Sequence, residues 1–447
     1  MPIDPHYPIL AALLALASCA PRPPTPSPTT ADVVIEDVTL VDVREGRTRE
    51  HLDVGLAGPR IAYVRRAGGA AVPAGARRVS GRGLFLIPGL WDMHSHSLWS
   101  ADAVRTFLPA YVANGVTGIR DMGGTLEMLH AARDSIRAGS AYPRIYAAGA
   151  IVDGPEPVDP SISLAVGDSA GGRLAVDSLA RAGADFVKVY SLLPRGAYFA
   201  VMDEARRLGI PVAGHVPVEV TPDEAARAGQ RSIEHLRDEL EPFCTPREPA
   251  PCAPLFEVFR RNGTWQVPTL VVLRMKALFG DTAYVTDPRL AYVPASLRAS
   301  WLRERLGKIA RGPDYAAGKR VRFADEMWLT GRLARERVPL MAGTDAGVAF
   351  SYPGFSLHDE LALLVDAGLS NVEALRAATL APAELMGAAG TLGTVEAGRA
   401  ADLVLLRANP LRDIRATRQV ETVVLRGRVI PRAGLDSLLA AVARDAR

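Results

Sequence analysis

The sequence is short of lysine, cysteine and net charge. Its 447 residues carry 52 basic and 49 acidic side chains, which leave a formal net charge of +3, and they include three cysteines. A chain this close to neutral lacks the dense basic face that nucleic-acid binding usually needs, so we predict no nucleic-acid partner. Arginine supplies almost all of the positive charge, because only four residues are lysines. A lysine such as Lys188 is therefore a rare choice that needs a reason.

The sequence also has no apolar run long enough to cross a bilayer, and it has no internal repeat. The run at residues 9–17 instead has the length of the apolar part of a secretory signal. It ends in Leu-Ala-Ser-Cys, which resembles the bacterial lipobox, and a proline-rich stretch follows. We predict a signal peptide over residues 1–19, lipidation of Cys19 as the first mature residue, and an extended tether over residues 20–30.

This signal predicts an exported protein that is held at a membrane by a lipid anchor. Ala20, rather than aspartate, follows the cysteine, which favours the outer membrane, facing the periplasm, in a Gram-negative cell. One feature departs from the pattern, because the first eight residues contain no lysine or arginine, whereas signal peptides usually begin with positive charge. A buried N-terminal helix with a chance cysteine is the alternative.

The other two cysteines, Cys244 and Cys252, enclose a polar loop that is rich in proline. In an oxidising compartment such a pair can close a short disulfide that stiffens the loop. A metal site is disfavoured, because no histidine or further cysteine lies nearby in the sequence. We predict a disulfide between them, with two free thiols as the alternative.

Short apolar strands alternate with amphipathic helices through the middle of the chain, which is the pattern of βαβ units. The eight strand candidates there are LIPGLWDMH, GVTGIRDM, RIYAAGA, ADFVKVYS, IPVAGH, RSIEHL, TWQVPTLVV and VPLMAGTD. Eight such units predict a protein of the α/β class, a (β/α)8 TIM barrel over residues 88–393. The long connection at 273–338 predicts helices that cover the mouth of the barrel and shape its specificity. Further strand-like segments lie near both chain ends.

Ionisable residues stand where these strands end, and active sites of such barrels lie at the carboxyl ends of the strands. His94 and His96 close the first strand, and residues two apart in a strand face the same side, so both can bind one cation. The other strand-end residues are Lys188 after the fourth strand, His215 after the fifth, His235 after the sixth and Asp345 after the eighth. A lone histidine is usually a core residue, but this joint placement predicts a metal centre.

The same motifs give the chain a resemblance to the amidohydrolase superfamily over nearly its whole mature length. PGLWDMHSH resembles the PG-x-x-D-x-H-x-H signature of the family, and AGRAADLVLL resembles its C-terminal return strand. TGIRDMGG and the stretch from SLHDELALL to ELMG resemble the branch of imidazolonepropionases and Xaa-Pro dipeptidases. The resemblance implies a barrel beside a small β-sandwich built from both chain ends, residues 31–87 and 394–435, with a C-terminal helix or tail at 436–447.

The resemblance also implies the chemistry, which is hydrolysis of a C–N amide bond by a hydroxide that bridges two divalent ions, expected to be zinc. His94, His96 and Asp345 bind one ion by this resemblance, while His215 and His235 bind the other. Lys188, carboxylated by CO2, bridges them as a carbamate, and burial favours the neutral amine that captures CO2. Asp345 acts as general base and then acid. Tyr190, two residues after Lys188, is a candidate donor to the oxyanion, with ordinary packing as its alternative.

Two other functions compete with this interpretation. A mononuclear deaminase of the same superfamily needs no lysine on the fourth strand, and it typically has a glutamate three residues after the histidine of the fifth strand. Val218 occupies that position here, and the nearest acid is Glu219. A lipoprotein that uses the barrel only to bind a small molecule is a weaker alternative. A barrel that has lost its catalytic function has usually lost a metal ligand as well, and all six are present here.

Substrate recognition is predicted for two arginines. Arg237, two residues after His235, can pair with a substrate carboxylate, although a salt bridge within the barrel explains it equally well. Arg120, at the end of the second strand, is assigned to substrate by analogy with the family alone. His358 is predicted to be a surface or supporting residue. The substrate expected from the resemblance is a small molecule such as a dipeptide, an N-acyl amino acid or a cyclic amide.

Overall fold

A computed structural model of the protein describes residues 31–236, residue 240 and residues 243–447. The predictions for the signal peptide, Cys19 and the tether concern residues outside this range, as does the prediction for Arg237. Within the described part of the chain, no helix combines the length and the apolar character that a membrane crossing would require.

The two ends of the chain share one sheet. Its strands are β1 (Val33–Asp42), β2 (Arg47–Ala57), β3 (Arg60–Arg66), β4 (Arg77–Ser80) and β5 (Phe85–Pro88) from the N-terminal side, with β15 (Leu403–Leu406), β16 (Val420–Leu425) and β17 (Arg428–Pro431) from the C-terminal side. Their order is β17-β16-β15-β5-β1-β2-β3, and β4 pairs with β1. The sandwich expected from the resemblance is thus one continuous eight-stranded sheet, in which Ile35, Val54 and Leu403 are fully buried.

The middle of the chain forms two parallel sheets. One has the order β6 (Leu90–Ser95), β7 (Val116–Asp121) and β8 (Arg144–Ala147). The order of the other is β10 (Ser163–Ala165), β9 (Ile151–Asp153), β11 (Val187–Val189), β12 (Val212–Gly214), β13 (Ser232–Glu234) and β14 (Trp265–Val267). Seven of the eight predicted strand segments therefore contain a strand. The eighth, at residues 338–345, contributes only an isolated parallel bridge from Leu340 to Gln266.

Backbone hydrogen bonds connect these parallel sheets to each other. Met341 donates to the Gln266 carbonyl at 3.0 Å, and Met93 donates to the Ala342 carbonyl at 2.9 Å, so the eighth segment lies between β14 and β6. On the other side, Asp185 donates to the Ala147 carbonyl at 2.8 Å. The fold is therefore of the α/β class, with barrel-like parallel strands and an additional β domain.

The helices connect the parallel strands and then cover them. Those between strands are α1 (Ala101–Ala113), α2 (Leu126–Arg137), α3 (Ser169–Arg181), α4 (Arg195–Leu208), α5 (Pro222–Ala228) and α6 (Cys252–Asn262). The long connection contains α7 (Leu270–Ala277), α8 (Ala283–Thr286), a 3-10 turn (Pro288–Tyr292), α9 (Ala295–Ile309) and α10 (Pro313–Arg335), and it is helical as predicted. The C-terminal part has α11 (Phe355–Asp366), α12 (Asn371–Ala377), α13 (Leu380–Leu385), a 3-10 turn (Ile414–Arg418) and α14 (Arg432–Asp445).

A disulfide joins Cys244 to Cys252, with the two Cα atoms 4.9 Å apart. Both side chains are buried, and Cys252 is the first residue of α6. The bond therefore ties the loop to the start of this helix.

His358 is not a surface residue, which corrects one part of the sequence prediction. It lies on α11, is 2% exposed, and donates from Nε2 to the Asn114 carbonyl at 3.0 Å. Its Nδ1 lies 3.0 Å from the Thr417 hydroxyl. The helix carries apolar residues on most of its positions, so the histidine turns inward with them. His358 thus joins α11 to the end of α1 and to the turn before β16.

The burial of His358 predicts a loss of stability in acid. Burial, helped by the charge of Arg418, lowers the pKa of His358 from 6.5 to about 4. The unfolded chain takes up this proton near pH 6.5, so the stability is present above that pH and is lost as the pH falls towards 4. We expect a loss of about 3 kcal/mol over that window from this residue. Urea unfolding of metal-free wild type and His358→Gln at pH 7 and pH 4 measures this loss of stability. An equal pH dependence of the two free energies of unfolding would contradict the prediction.

Candidate metal centre

The first parallel strand brings two histidines to one end of the parallel strands. His94 and His96 flank the last residue of β6, so their imidazoles face the same side, with ring centroids 5.5 Å apart. His94 is fully buried. A Cβ atom added to Gly343 would come within 2.7 Å of the His94 Cβ, so only glycine lets the eighth segment lie against this histidine.

Asp345 completes a compact group with these histidines. Its φ of 55° is one that few residues other than glycine adopt. Asp92 holds the preceding turn, because it accepts the Thr344 N–H at 3.0 Å and the Thr344 hydroxyl at 2.6 Å. The Asp345 Oδ1 atom consequently lies 3.4 Å from the Nε2 atoms of both His94 and His96. One potential ligand atom from each of the three residues lies within 4.8 Å of the others.

The next two histidines follow β12 and β13. The ring centroid of His235 lies 4.6 Å from that of His94 and 5.0 Å from that of His215. Gly214 precedes His215 with a φ of 135°, and a Cβ atom there would lie 2.9 Å from Cδ of Lys188. Glycine is therefore needed where the lysine and His215 come side by side.

Lys188 is the middle residue of β11, and it is fully buried. Its Nζ atom lies 5.4 Å from the ring centroid of Tyr190, and that ring stacks on His215 with centroids 4.1 Å apart. After burial, the charge of Lys188 is one of the causes that lower the pKa values of His94 and His96. The structure thus brings the six predicted ligands to the same end of the parallel strands.

All four imidazoles are oriented by the protein through Nδ1. The Nδ1 atoms lie 2.8 Å from a Glu234 oxygen for His94, 3.1 Å from the Gly123 carbonyl for His96, 2.8 Å from the Ser191 hydroxyl for His215 and 2.7 Å from the Thr269 hydroxyl for His235. Metal-binding histidines typically use their second nitrogen in this way, which fixes the ring and its tautomer. The Nε2 atoms of His94 and His96 face Asp345 instead.

Arg120 has a different role from the predicted one. It is 1% exposed, and its guanidinium binds the Met93 carbonyl at 2.6 Å, the Ser232 hydroxyl at 2.8 Å and Glu234 at 2.8 Å. These contacts face the interior of the protein, so Arg120 does not reach a substrate. It supports Glu234, which in turn holds His94.

A second supporting chain leads to His235. Its partner Thr269 has a φ of 51° and directly precedes α7. The first N–H groups of that helix, from Leu270 and Val271, donate to the fully buried carboxylate of Glu360 at 3.0 and 2.7 Å. Glu360 therefore anchors the turn whose hydroxyl orients His235.

Sequence reasoning missed these supporting residues. For Glu234 there was a signal, because a carboxylate in a buried strand requires a partner. Thr269 and Glu360 are 91 residues apart in the sequence and carry no local signal.

The protonation states of the centre suit metal ligands. Burial lowers the pKa of His94 to about 4, which keeps its imidazole neutral near pH 7. Burial alone would raise the pKa of Asp345, but its contacts with His94 and His96 and the charge of Lys276 lower it below its usual value. Burial opposes ionisation of Glu234 as well, yet Arg120 and His94 bring its pKa to about 2. Neutral imidazoles therefore face ionised carboxylates.

These donors fit a divalent cation. The Nε2 atom of His94 is fully buried, and it has no hydrogen-bond partner among the residues that the structure describes. Leaving a buried polar atom without a partner costs free energy, unless it binds a ligand. Imidazole nitrogens together with a carboxylate oxygen are the ligand set that zinc prefers, and manganese and cobalt also accept it.

A cavity of about 390 Å³ opens above these residues. His96, His235, Asp345 and Tyr190 lie at its floor and wall, and its other lining residues include Trp99, Ile162, Leu297, Val348 and the carboxylate of Asp159. Its size is within the range of pockets for small molecules.

Known proteins match this chain at the level of fold and of family. The sequence profile of the amidohydrolase family matches residues 85–430. Among solved structures, bottromycin amidohydrolase is 28% identical with a TM-score of 0.73, and the match covers 92% of this chain and 90% of that one. An Xaa-Pro dipeptidase with bound methionine in its active site is 21% identical with a TM-score of 0.70, over 89% of this chain and 99% of that one.

A curated relative matches over a shorter segment. The adenine deaminase of Rubrobacter xylanophilus is 36% identical over 88 residues, which are 20% of this chain and 14% of that protein. The chain thus spans about one seventh of the length of this relative. The family profile, in contrast, covers most of the chain and includes every predicted ligand. The resemblance seen in the sequence is confirmed, and the chain belongs to the amidohydrolase family.

Proposed function

We propose that this protein is a metal-dependent hydrolase that cleaves a C–N amide bond in a small molecule. The observation that carries the proposal is the set of four imidazoles that the protein holds through Nδ1 at the same end of the parallel strands as the buried carboxylate of Asp345. Enzymes of the amidohydrolase family act on C–N bonds, and the parallel strands fit a closed (β/α)8 barrel, which we include in the proposal.

Two divalent ions, zinc being the best match, are the proposed cofactors. His94, His96 and Asp345 would hold one of them, and His215 and His235 the other. Lys188 would bridge the two ions as a carbamate, which forms when the neutral Nζ adds to CO2 and releases a proton. When bound, the ions would supply an activated water and polarise the amide carbonyl.

The protein's own side chains would transfer the proton, stabilise the oxyanion and hold the substrate. Asp345, whose carboxylate is ionised, would accept a proton from the attacking water and deliver it to the leaving nitrogen. Tyr190 lines the cavity beside His215, from where its hydroxyl would donate to the developing oxyanion. The apolar wall at Trp99, Ile162 and Leu297 would hold a hydrophobic substrate group and exclude water.

The volume of the cavity supports a dipeptide, an N-acyl amino acid or a cyclic amide as substrate. The match to bottromycin amidohydrolase, an enzyme of that name with 28% identity, favours amide hydrolysis as the reaction. The prediction of a lipidated Cys19 adds that this hydrolysis takes place at a membrane, outside the cytoplasm.

A second candidate function is hydrolytic deamination, which the match to an adenine deaminase favours over one fifth of the chain. A hydrolysis screen of dipeptides and N-acyl amino acids should therefore include adenine. Ammonia released from adenine, with no cleavage of dipeptides or N-acyl amino acids, would select this function. Amide cleavage without ammonia release would select the first.

Replacement of Lys188 tests the two-ion proposal directly. We expect wild type to carry two metal equivalents per chain, and Lys188→Ala to carry fewer and to lose at least about 100-fold in kcat, since the bridge is gone. Elemental analysis and hydrolysis assays on the same samples measure both. Lys319→Ala, which removes another of the four lysines, one that does not line the cavity at the centre, is the matched control. Equal metal content and equal activity in wild type and Lys188→Ala would refute the bridging role.

A further inference from the structure

The helical connection that covers the mouth exposes an unusual apolar surface. Leu302, Leu306 and Ile309 follow one another on one side of α9 with helical spacing, and Leu306 is 61% exposed. Val321 on the next helix, α10, is 51% exposed. A solvated helix face normally presents polar side chains at such positions. We call the four residues Leu302, Leu306, Ile309 and Val321 the α9–α10 apolar stripe.

The other side of α9 fixes the orientation of this stripe. Trp301 is 2% exposed, and its ring lies 5.6 Å from that of Phe350 and 5.8 Å from that of Tyr352, centroid to centroid. Arg305 is also buried, and it donates to the carbonyls of Gly280 and Asp281 at 3.2 Å. The helix cannot turn its leucines inward without giving up these contacts. Their exposure is therefore built into the fold.

Positive charge surrounds the stripe. Residues 295–322 contain eight basic and two acidic side chains, a net charge of +6, whereas the whole chain has +3. Five of the cations make no ion pair with any residue that the structure describes, and they are Arg303, Lys308, Arg311, Lys319 and Arg320. The excess charge of the protein is thus concentrated at one place and is not neutralised there.

Tyr315 connects the α9–α10 apolar stripe with the cations around it. The guanidinium carbon of Arg311 lies 4.0 Å from its ring centroid, and the Lys319 ammonium lies 5.4 Å from it. The same tyrosine lines a groove of about 440 Å³ together with Ile309 and Lys308. Apolar side chains, an amphipathic ring and several cations side by side are the composition of helices that lie in the interface of a bilayer.

We propose that the α9–α10 apolar stripe and its five cations dock the protein on a bilayer that carries anionic phospholipids. The leucines would enter the headgroup region, and the cations would bind the lipid phosphates. A second copy of the chain fits the surface less well, because a symmetric contact would bring two faces of +6 together. This docking surface does not depend on lipidation at Cys19. Leu297 on the same helix lines the cavity, so docking would bring the mouth close to the bilayer.

Vesicle flotation tests the proposal with the full chain carrying Cys19→Ser, so that no acyl group can attach there. The probes are vesicles of phosphatidylcholine alone and vesicles with about one third phosphatidylglycerol. We expect at least tenfold stronger binding to the anionic vesicles at low salt, and loss of this difference at high salt. Binding that is equal on both vesicles would overturn the proposal.

Two variants separate the apolar and the charged contributions. Leu306→Ser and the pair Lys308→Glu with Arg320→Glu should each lower binding to anionic vesicles by roughly tenfold or more. The matched control is Leu174→Ser with Arg181→Glu, which alters one exposed leucine and one exposed arginine on α3. Sedimentation of each protein without lipid measures its mass. Unchanged vesicle binding in both variants, or a dimer that Leu306→Ser dissociates while vesicle binding persists, would overturn the proposal.

Discussion

Replacing Asp345 with asparagine should lower kcat by about 10³-fold while the protein remains folded. Asparagine keeps the size of the side chain but cannot accept and return a proton, and general acid–base catalysis typically contributes factors of this size. The Oδ1 atom of Asp345 also lies 3.4 Å from the Nε2 atoms of both His94 and His96. Hydrolysis rates, measured beside thermal unfolding of the same samples, check the prediction.

Asp159→Asn is the matched control for this substitution. Asp159 lines the same cavity, but among the residues that the structure describes its carboxylate binds only the backbone and the hydroxyl of Ser161 within its own loop. We expect Asp159→Asn to leave kcat within about threefold of wild type, since the Asp159 carboxylate takes no proton during the reaction. If both variants lost activity equally, or if neither did, Asp345 would not be the proton carrier.

Removing the Glu234 carboxylate should have the largest effect on stability. Glu234→Ala leaves the guanidinium of Arg120 buried without its counter-charge, and we expect a loss of about 3–5 kcal/mol in the free energy of unfolding. The same change removes the acceptor for Nδ1 of His94, so metal affinity should fall by about 10–100-fold. Urea unfolding of the metal-free protein and metal titration measure the two effects separately.

A double substitution separates these two roles of Glu234. Arg120→Met together with Glu234→Met removes both buried charges, so stability should recover towards that of wild type, while metal affinity should remain low. Glu421→Ala, which breaks an exposed pair with Arg407, is the control and should cost less than about 1 kcal/mol. Recovery of metal affinity in the double variant would show that Glu234 does not position His94.

The sequence was most informative where chemistry and local geometry coincide. His94 and His96 could be assigned to one face because their spacing matches the alternation of a strand, and His215 and His235 directly follow β12 and β13. The disulfide loop and the helical character of the long connection could likewise be predicted from local composition. The family followed from the same motifs.

Residues that act through distant contacts could not be found in this way. Arg120 was assigned to substrate by analogy with the family alone, but its partner Glu234 is more than a hundred residues away. His358 was predicted to be a surface or supporting residue because it opens an amphipathic helix, whereas its partners come from the end of α1 and from the turn before β16. The eighth strand segment kept its place beside β14 and β6 but shortened to an isolated bridge, because the turn at Asp345 leaves the strand conformation.

The sheet shared by both chain ends constrains how the polypeptide can acquire its native form during synthesis. β5 pairs with β15, and Leu86 lies opposite Leu405 in this pair. Leu405 leaves the ribosome only near the end of translation, so β5 lacks its partner until then. Until then the N-terminal strands have an unprotected edge, and a chaperone has time to bind it. The C-terminal strands therefore complete the sheet that the N-terminal strands begin. A chain truncated before β15 should leave β5 without this partner.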